Sequence, residues 1–196
     1  MMFVALLVAP VGNRASPIDD AVAVAAASAP GPRISYPAGK RPQLTLPNGS
    51  RAAIRSLLNI AAPMKFGDFV WNDAGVPPGP AWVRVDLARQ TLSVFRAGHE
   101  IGAAVILYGA DSKQTPIGVF PILEKAKEHR SSVYDADMPF MLRLTGDGVA
   151  IHASQVRGGY ATHGCVGVPF EFARHLFNEL KVKDLVAIVG GGSKIS

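Results

Sequence analysis

Apolar and polar residues alternate along the middle of the chain, and this alternation limits the available folds more than any other feature. Over 82–87 every second residue is aliphatic, which is typical of a β-strand with one buried face. A short turn at 88–90 leads to a second strand around Leu92, and a turn at 97–99 leads to a third over 101–107. Two short connections in succession predict an antiparallel meander.

The remainder of the chain predicts further strands and a single good helix. The strands are expected over 119–123, 141–144, 149–152 and 185–189. A helix is expected to begin at Pro169, because proline is tolerated in the first turn of a helix. Its apolar face is formed by Phe170, Ala173, Phe177 and Leu180. The predicted fold is therefore mainly β, with one helix near its end.

The residues before this region show no comparable period. Residues 2–11 are apolar, but this run is shorter than the about 20 residues that a helix needs to cross a bilayer. The run resembles the apolar part of an export signal, although no basic residue precedes it. Prolines then interrupt the chain repeatedly up to residue 47. We therefore predict a signal segment and a proline-rich linker over 1–50, with export to the periplasm or elsewhere in the cell envelope.

The rest of the chain divides into three predicted segments. Over 51–60 the apolar residues are spaced as on one side of a short helix, and a loop follows up to residue 81. These apolar residues are Ile54, Leu57 and Leu58. Residues 82–190 form the main domain, and residues 191–196 form a flexible tail.

The composition allows a substantial core, since 48% of the residues are hydrophobic and only 18% are charged. The formal net charge is +5 and the isoelectric point is about 9.6, so an anionic partner is favoured. The basic residues are scattered singly without interleaved aromatic side chains, and we therefore expect no nucleic-acid partner. A polyanionic cell wall or a membrane surface suits the same charge.

Cys165 is the only cysteine, so no disulfide can form within the chain. His163 lies two positions before it, and His152 ends a predicted strand upstream. A thiolate is a nucleophile, a nearby imidazole can take its proton, and adjacent backbone N–H groups can stabilise an oxyanion. Because Gly164 has no Cβ, the backbone beside the thiol can approach a substrate closely. These residues predict thiol catalysis.

The run Thr-His-Gly-Cys that ends at Cys165, together with His152, resembles the His-x(n)-[Ser/Thr]-His-Gly-Cys motif of the YkuD-type L,D-transpeptidases. The resemblance extends upstream through 115–120 and 138–140, and it covers 82–189. These cysteine transpeptidases cross-link bacterial peptidoglycan. The resemblance implies the β-sandwich-like catalytic domain of that family, with one helix after the catalytic cysteine. It also implies a carbapenem-sensitive thiol and no metal or organic cofactor.

The same resemblance implies a role for each motif residue. Cys165 corresponds to the nucleophile, and His152 corresponds to the general base that later returns the proton to the leaving amine. The backbone N–H groups of His163, Gly164 and Cys165 correspond to the oxyanion site, and the His163 side chain either assists catalysis or shapes the loop. In the family, the thiolate attacks a peptidoglycan tetrapeptide stem at the L-centre of diaminopimelate and expels D-Ala. An amine from an acceptor then resolves the thioester.

Candidate substrate-binding residues surround this motif. The family usually has Asn or Arg two residues after the cysteine, whereas this chain has Gly167. This difference implies relaxed substrate selection, or a substitute cation such as Arg157. Thr162 lies within the motif and is a further candidate. Tyr134 and Phe140 either line a substrate groove or belong to the core.

Three alternative interpretations stay open from the sequence. His152, His163 and Cys165 are three residues of the types that bind zinc, although no second ligand pair accompanies them. A wall-binding module without activity is compatible with Gly167. An L,D-carboxypeptidase of the same fold would use water in place of the acceptor amine. No role is assigned to His99, His129 or His175.

Overall fold

The computed structural model describes residues 33–109, 113–131 and 135–190, which form fourteen strands, one α-helix and a 3-10 turn at Ala38–Lys40. In chain order the strands are β1 (Ile34–Ser35), β2 (Gln43–Thr45), β3 (Arg51–Ala53), β4 (Ser56–Leu57), β5 (Phe69–Trp71), β6 (Ala81–Asp86), β7 (Thr91–Arg96), β8 (His99–Val105), β9 (Gly118–Pro121), β10 (Glu124–Ala126), β11 (Met141–Arg143), β12 (Ala150–Ala153), β13 (Val166–Val168) and β14 (Leu185–Val189). The helix α1 (Phe170–Glu179) lies between β13 and β14.

The large sheet contains the predicted meander. Its strand order is β1-β4-β8-β7-β6-β14-β9, and β5 also pairs with β8. The strands β6, β7 and β8 are consecutive antiparallel neighbours, as the alternation and the short turns predict. The last strand, β14, returns beside β6 in parallel orientation. The strands from β10 to β13 belong to a second sheet, and side chains of the two sheets share one core.

The smaller sheet carries the Cys-His motif. Its strand order is β10-β11-β12-β13, in which β11 and β12 are antiparallel and β12 and β13 are parallel. The segment 154–165 connects the end of β12 to the start of β13, as a parallel pair requires. A third, two-stranded sheet consists of β2 and β3.

The main core lies between the two larger sheets and the helix. Val83 from the large sheet, Ile151 from the small sheet and Phe172 from α1 are exposed by at most 1%. The helix begins where it was predicted, but its buried face is different, because Phe170 is 53% exposed. The buried helix residues are Phe172, Ala173 and Leu176. The predicted fold class, mainly β with one helix after Cys165, is confirmed.

The predicted helix over 51–60 is wrong, because β3 and β4 occupy this segment. Burial alternates there, with Ile54, Ser56 and Leu58 exposed by 2%, 1% and 5%. The Ser56 hydroxyl accepts a hydrogen bond from Arg33 Nε at 2.9 Å, which accounts for a serine at a buried position. Because Ser56 is polar, the alternation of buried residues at 54, 56 and 58 does not show in a pattern of apolar residues alone.

The linker prediction is also partly wrong, since 33–50 contain β1, a 3-10 turn and β2. The predicted signal segment and tail fall on 1–32 and 191–196, outside the described residues. In the described part of the chain, no helix combines the length and apolar character needed to cross a membrane.

Candidate active site

Two parallel strands place His152 and Cys165 on the same face of the small sheet. The register pairs His152 with Gly167, and Cys165 lies two positions before Gly167. Because side chains alternate between the faces of a strand, residues two positions apart share a face. His152 lies in β12 and Cys165 directly precedes β13, so the imidazole and the thiol extend toward the same side of the sheet.

Both side chains line one cavity of about 420 Å³. The loop that follows β12 contributes Thr162 and His163 to its wall, so the motif residues meet at one place. Other walls come from segments far away in the sequence. Chemically reactive or charged side chains among these other lining residues are Lys113, His129, Arg143 and Asp147.

The His152 imidazole is held as a neutral base. Burial lowers its pKa below the ordinary value, the contact with the Ala153 carbonyl opposes this, and nearby His129 adds to the decrease. His152 Nδ1 lies 2.8 Å from Ala153 O. Because a carbonyl oxygen only accepts, Nδ1 must carry the proton, which leaves the lone pair on Nε2. Nε2 is therefore the atom that can take a proton from a nucleophile.

The Cys165 thiol is held in its protonated form at rest. Burial raises its pKa, the backbone N–H of Ala150 and the Lys113 ammonium oppose the rise, and Asp147 adds to it. Its Sγ lies 3.8 Å from Gly148 O, which suits a weak S–H donor. A neutral thiol beside a neutral imidazole is an arrangement in which the proton moves as the sulfur attacks, since the ion pair is not favoured beforehand.

Short-range hydrogen bonds fix the loop that carries the thiol. Thr162 Oγ1 donates to Cys165 O at 2.5 Å, and Thr162 N donates to Tyr108 O at 3.1 Å. The hydroxyl predicted to contact substrate is therefore engaged in bracing the loop, although Thr162 does line the cavity. Gly164 has a φ of 100°, a left-handed conformation that favours glycine beside the nucleophile.

A buried threonine connects this loop to the preceding part of the chain. Thr115 is 4% exposed, donates from Oγ1 to Gly164 O at 3.0 Å, and accepts from Gly109 N at 2.9 Å. In the sequence, Thr115 lies in the 115–120 segment that shares the family resemblance, and no role is predicted for its side chain. The structure makes it the residue that positions the backbone next to Cys165.

Gly167, which the sequence predicts to affect substrate selection, is not among the residues that line the cavity. It is buried in β13, and its backbone exchanges two hydrogen bonds of 2.9 Å with Leu107. A Cβ at this position would lie 2.8 Å from Ser154 Oγ and 2.9 Å from Ser154 Cβ. The Ser154 hydroxyl, 3.4 Å from His152 Nδ1, occupies the space into which a side chain at 167 would extend.

Two of the other residues predicted to contact substrate, Phe140 and Arg157, are not among the residues that line the cavity. Phe140 is 8% exposed and packs against Phe170 and Phe177 with ring-centre distances of 5.3 and 5.7 Å, so it belongs to the core. Arg157 is exposed and does not line the cavity. Tyr134 lies outside the described residues.

The lining residues that sequence reasoning missed come from three separate loops. His129, without a predicted role, lines the cavity near His152, and Lys113 and Asp147 flank the thiol. Nothing in the local sequence around these residues links them to the motif. Within 33–109, 113–131 and 135–190 there is no group of three His, Cys, Asp or Glu side chains placed to hold a metal ion. The zinc interpretation therefore finds no support in the geometry.

The domain is mainly β, and the Cys165 thiol and the His152 imidazole line one of its cavities. The family model of the YkuD L,D-transpeptidase catalytic domain matches residues 80–188, and the chain belongs to this family. Membership supports an acyltransferase activity. No curated protein matches the chain.

Solved structures of L,D-transpeptidases share the fold. A Stackebrandtia nassauensis L,D-transpeptidase is 25% identical, with 58% of this chain and 57% of that chain covered and a TM-score of 0.54. A mutant Enterococcus faecium L,D-transpeptidase is 21% identical, with 57% and 50% covered and a TM-score of 0.52. LdtMt1 in complex with imipenem is 22% identical, with 56% and 58% covered and a TM-score of 0.51. The chain thus spans between half and three fifths of each of these proteins.

Proposed function

We propose that this protein is a peptidoglycan L,D-transpeptidase in which Cys165 is the nucleophile and His152 is the general base. The observation that carries the proposal is the presence, in the lining of one cavity of the family domain, of the Cys165 thiol and of the His152 imidazole, whose Nδ1 is fixed by Ala153 O. Such a pair performs acyl transfer without a cofactor.

The proposed reaction has two half-reactions. In the first, Nε2 of His152 takes the thiol proton as Sγ attacks the donor carbonyl, and backbone N–H groups of 163–165 stabilise the oxyanion. The C–N bond then breaks, the proton passes to the leaving D-Ala amine, and a thioester remains on Cys165. In the second, His152 takes a proton from the acceptor amine, which attacks the thioester and frees the thiol. With water as acceptor the same site is a carboxypeptidase.

The proposed setting follows from this substrate. Peptidoglycan stem peptides lie outside the cytoplasmic membrane, so the proposal includes export to the periplasm or cell envelope and a role in cell wall biogenesis and cell shape. A carbapenem offers a strained carbonyl to the same thiol, and the solved complex of LdtMt1 with imipenem motivates the same test here. We expect a stable carbapenem adduct on Cys165.

The test is incubation of the protein with purified disaccharide-tetrapeptides, followed by mass analysis of the products. Cross-linked dimers with released D-Ala support the transpeptidase, and shortened tripeptides alone support the carboxypeptidase. Cys165→Ala is the matched control and should give neither product. A protein that yields no product and no carbapenem adduct, although iodoacetamide labels its thiol, would be the inactive wall-binding module.

A further inference from the structure

Lys113 lies over the loop that carries the nucleophile. A Cβ built on Gly164 would lie 3.3 Å from Lys113 Cγ and 3.5 Å from Lys113 Cδ and Cε, so the side-chain stem covers the backbone beside Cys165. The ammonium ends 3.7 Å from Asp147 Oδ2. All of these residues line the cavity except Gly164, on which the stem rests.

The backbone of Lys113 is fixed relative to the thiol. Lys113 O lies 2.2 Å from the position that a Cβ on Gly109 would take, and Gly164 Cα lies 2.7 Å from the same position. Gly109 is also tied to Thr115, which in turn bonds Gly164. These close approaches hold the Lys113 backbone against the thiol loop, so the side chain starts from a fixed point beside the cavity.

Lys113 is also the more available of the two permanent cations that line the cavity. Arg143 pairs with Glu124 at 2.8 Å, a charge-assisted hydrogen-bond distance. The pair between Lys113 and Asp147 is longer, at 3.7 Å, and the Asp147 side chain is 67% exposed, so water screens this attraction. An incoming anion can displace Asp147 at little cost.

The geometry points to Lys113 as the residue that binds the carboxylate of the leaving amino acid when Cys165 is acylated. In a stem that ends one residue after the scissile bond, this carboxylate lies three bonds from the attacked carbonyl carbon. One more residue moves it away by about 3.3–3.6 Å. Lys113 would therefore select donors whose C-terminal residue directly follows the scissile bond. The inference rests on the proposed function and adds a specificity-determining residue to it.

The decisive experiment compares two donors, the tetrapeptide with a free C-terminal carboxylate and the same peptide with a C-terminal amide. Release of D-Ala or D-alaninamide is followed by mass, and kcat/KM is measured for each. The wild type should prefer the carboxylate by about 10- to 100-fold, the usual range for a hydrogen bond to a charged group. Lys113→Gln should lower this preference to nearly one, and Lys113→Arg should keep most of it.

The ratio of the two donors separates binding from effects on the thiol. Lys113 also acts on the thiol pKa, so Lys113→Gln should slow both donors, but only carboxylate recognition changes their ratio. Asp147→Asn should raise the ratio, because it frees the ammonium. Lys40 is an exposed lysine on the 3-10 turn. The control variant Lys40→Gln removes the same net charge as Lys113→Gln and should leave the ratio unchanged. An unchanged ratio in Lys113→Gln would overturn the inference.

A second measurement does not depend on transpeptidation. Iodoacetate carries a carboxylate and iodoacetamide does not, and both alkylate Cys165. For each protein, the reagent ratio is the rate of alkylation by iodoacetate divided by the rate of alkylation by iodoacetamide. This ratio should be several-fold higher in the wild type than in the Lys113→Gln variant. A wild type that shows this ratio but turns over neither peptide would contradict the proposed function and leave the cation site supported. Equal reagent ratios in both proteins would count against the cation site itself.

Discussion

The small sheet and the N-terminal arm, defined as residues 33–60, use polar side chains in opposite ways. In the small sheet, His152 and Cys165 are partly buried and line one cavity. In the arm, Arg33 donates to Ser56 Oγ and Asn72 O, both at 2.9 Å, and to Glu100 O. Glu100 is 7% exposed and accepts from Leu58 N at 2.9 Å.

The cavity residues are placed for a reaction, whereas the polar side chains of the arm hold it on the rest of the domain. The arm lies outside the matched family domain at 80–188, and Arg33 joins it to the chain after β5 at Asn72 and to β8 at Glu100. At the site, the His152 imidazole keeps a free lone pair and the Cys165 thiol keeps its proton, and both side chains line the cavity. Changes at the site should therefore alter rates at nearly constant stability, and changes in the arm should alter stability at nearly constant rates.

The sharpest test of this separation is Cys165→Ala. We expect acyl transfer to be abolished, because no other thiol exists in the chain, while the free energy of unfolding changes little. Product analysis and a denaturant titration measure the two effects. Cys165→Ser should fail as well, since a hydroxyl is a far weaker acid than a thiol. Turnover near the wild-type level in the alanine variant would remove Cys165 from the mechanism.

The next largest effect is expected for His152→Ala. Loss of a positioned base should reduce the acylation rate by about 10²–10⁴-fold. Single-turnover release of D-Ala measures this step directly. His163→Ala is the comparison, because His163 is exposed at the cavity and its loop is braced by Thr162; we expect a smaller loss there. The reverse order of the two variants would transfer the base role to His163.

In the arm, Arg33→Ala should act on stability. It leaves the Ser56 hydroxyl and the backbone carbonyls of Asn72 and Glu100 without this donor, and a buried group without its partner costs about 1–3 kcal/mol. Urea titration measures the change, and kcat/KM should stay within a factor of two of the wild type. Arg51→Ala, at an exposed position, is the control and should change stability by about 0.5 kcal/mol or less. A large loss of activity at full stability in Arg33→Ala would break the comparison.

A buried contact in the small sheet should behave like the arm rather than like the site. Gly167→Ala forces a methyl group against Ser154, and overpacking of this kind costs about 1–3 kcal/mol. Adding Ser154→Gly should recover much of the stability, because it removes the atoms that the methyl group meets. Denaturant midpoints of the two single variants and the double variant give the coupling. Independent, additive losses would show that the two residues do not share this space.

The smallest effect concerns pH. Because burial lowers the pKa of His152 below its ordinary value of 6.5, the neutral base persists into acidic solution. The rise of kcat/KM with pH should therefore have its midpoint below pH 6.5. His129→Gln removes the side chain whose electrostatic effect lowers the His152 pKa further, and it should move this midpoint upward by less than one pH unit. A wild-type midpoint above 6.5 would show that an acidic neighbour, and not burial, dominates the imidazole.

The sequence by itself determined the features that depend on near neighbours. Alternation at β6 and short turns predicted the meander, and the apolar period after Pro169 predicted α1. The pattern around Cys165 predicted the candidate site, because Cys165 and its loop are contiguous in sequence and His152 ends the predicted strand. These signals are local, since the period of side chains follows from the backbone geometry of a helix or a strand.

Only the tertiary structure decided the features that depend on distant contacts. Arg33 donates a hydrogen bond to Ser56, which allows this serine to be buried. Without knowledge of that contact, the apolar residues of 51–60 predict a helix in place of the observed strands. Phe140 belongs to the core because α1 packs on it. Lys113 packs over Gly164 and lines the same cavity as the thiol, although the two loops are far apart in sequence and no spacing rule predicts their approach. Folding brings these groups together, because a side chain's burial and charge environment depend on segments that its own neighbours do not specify.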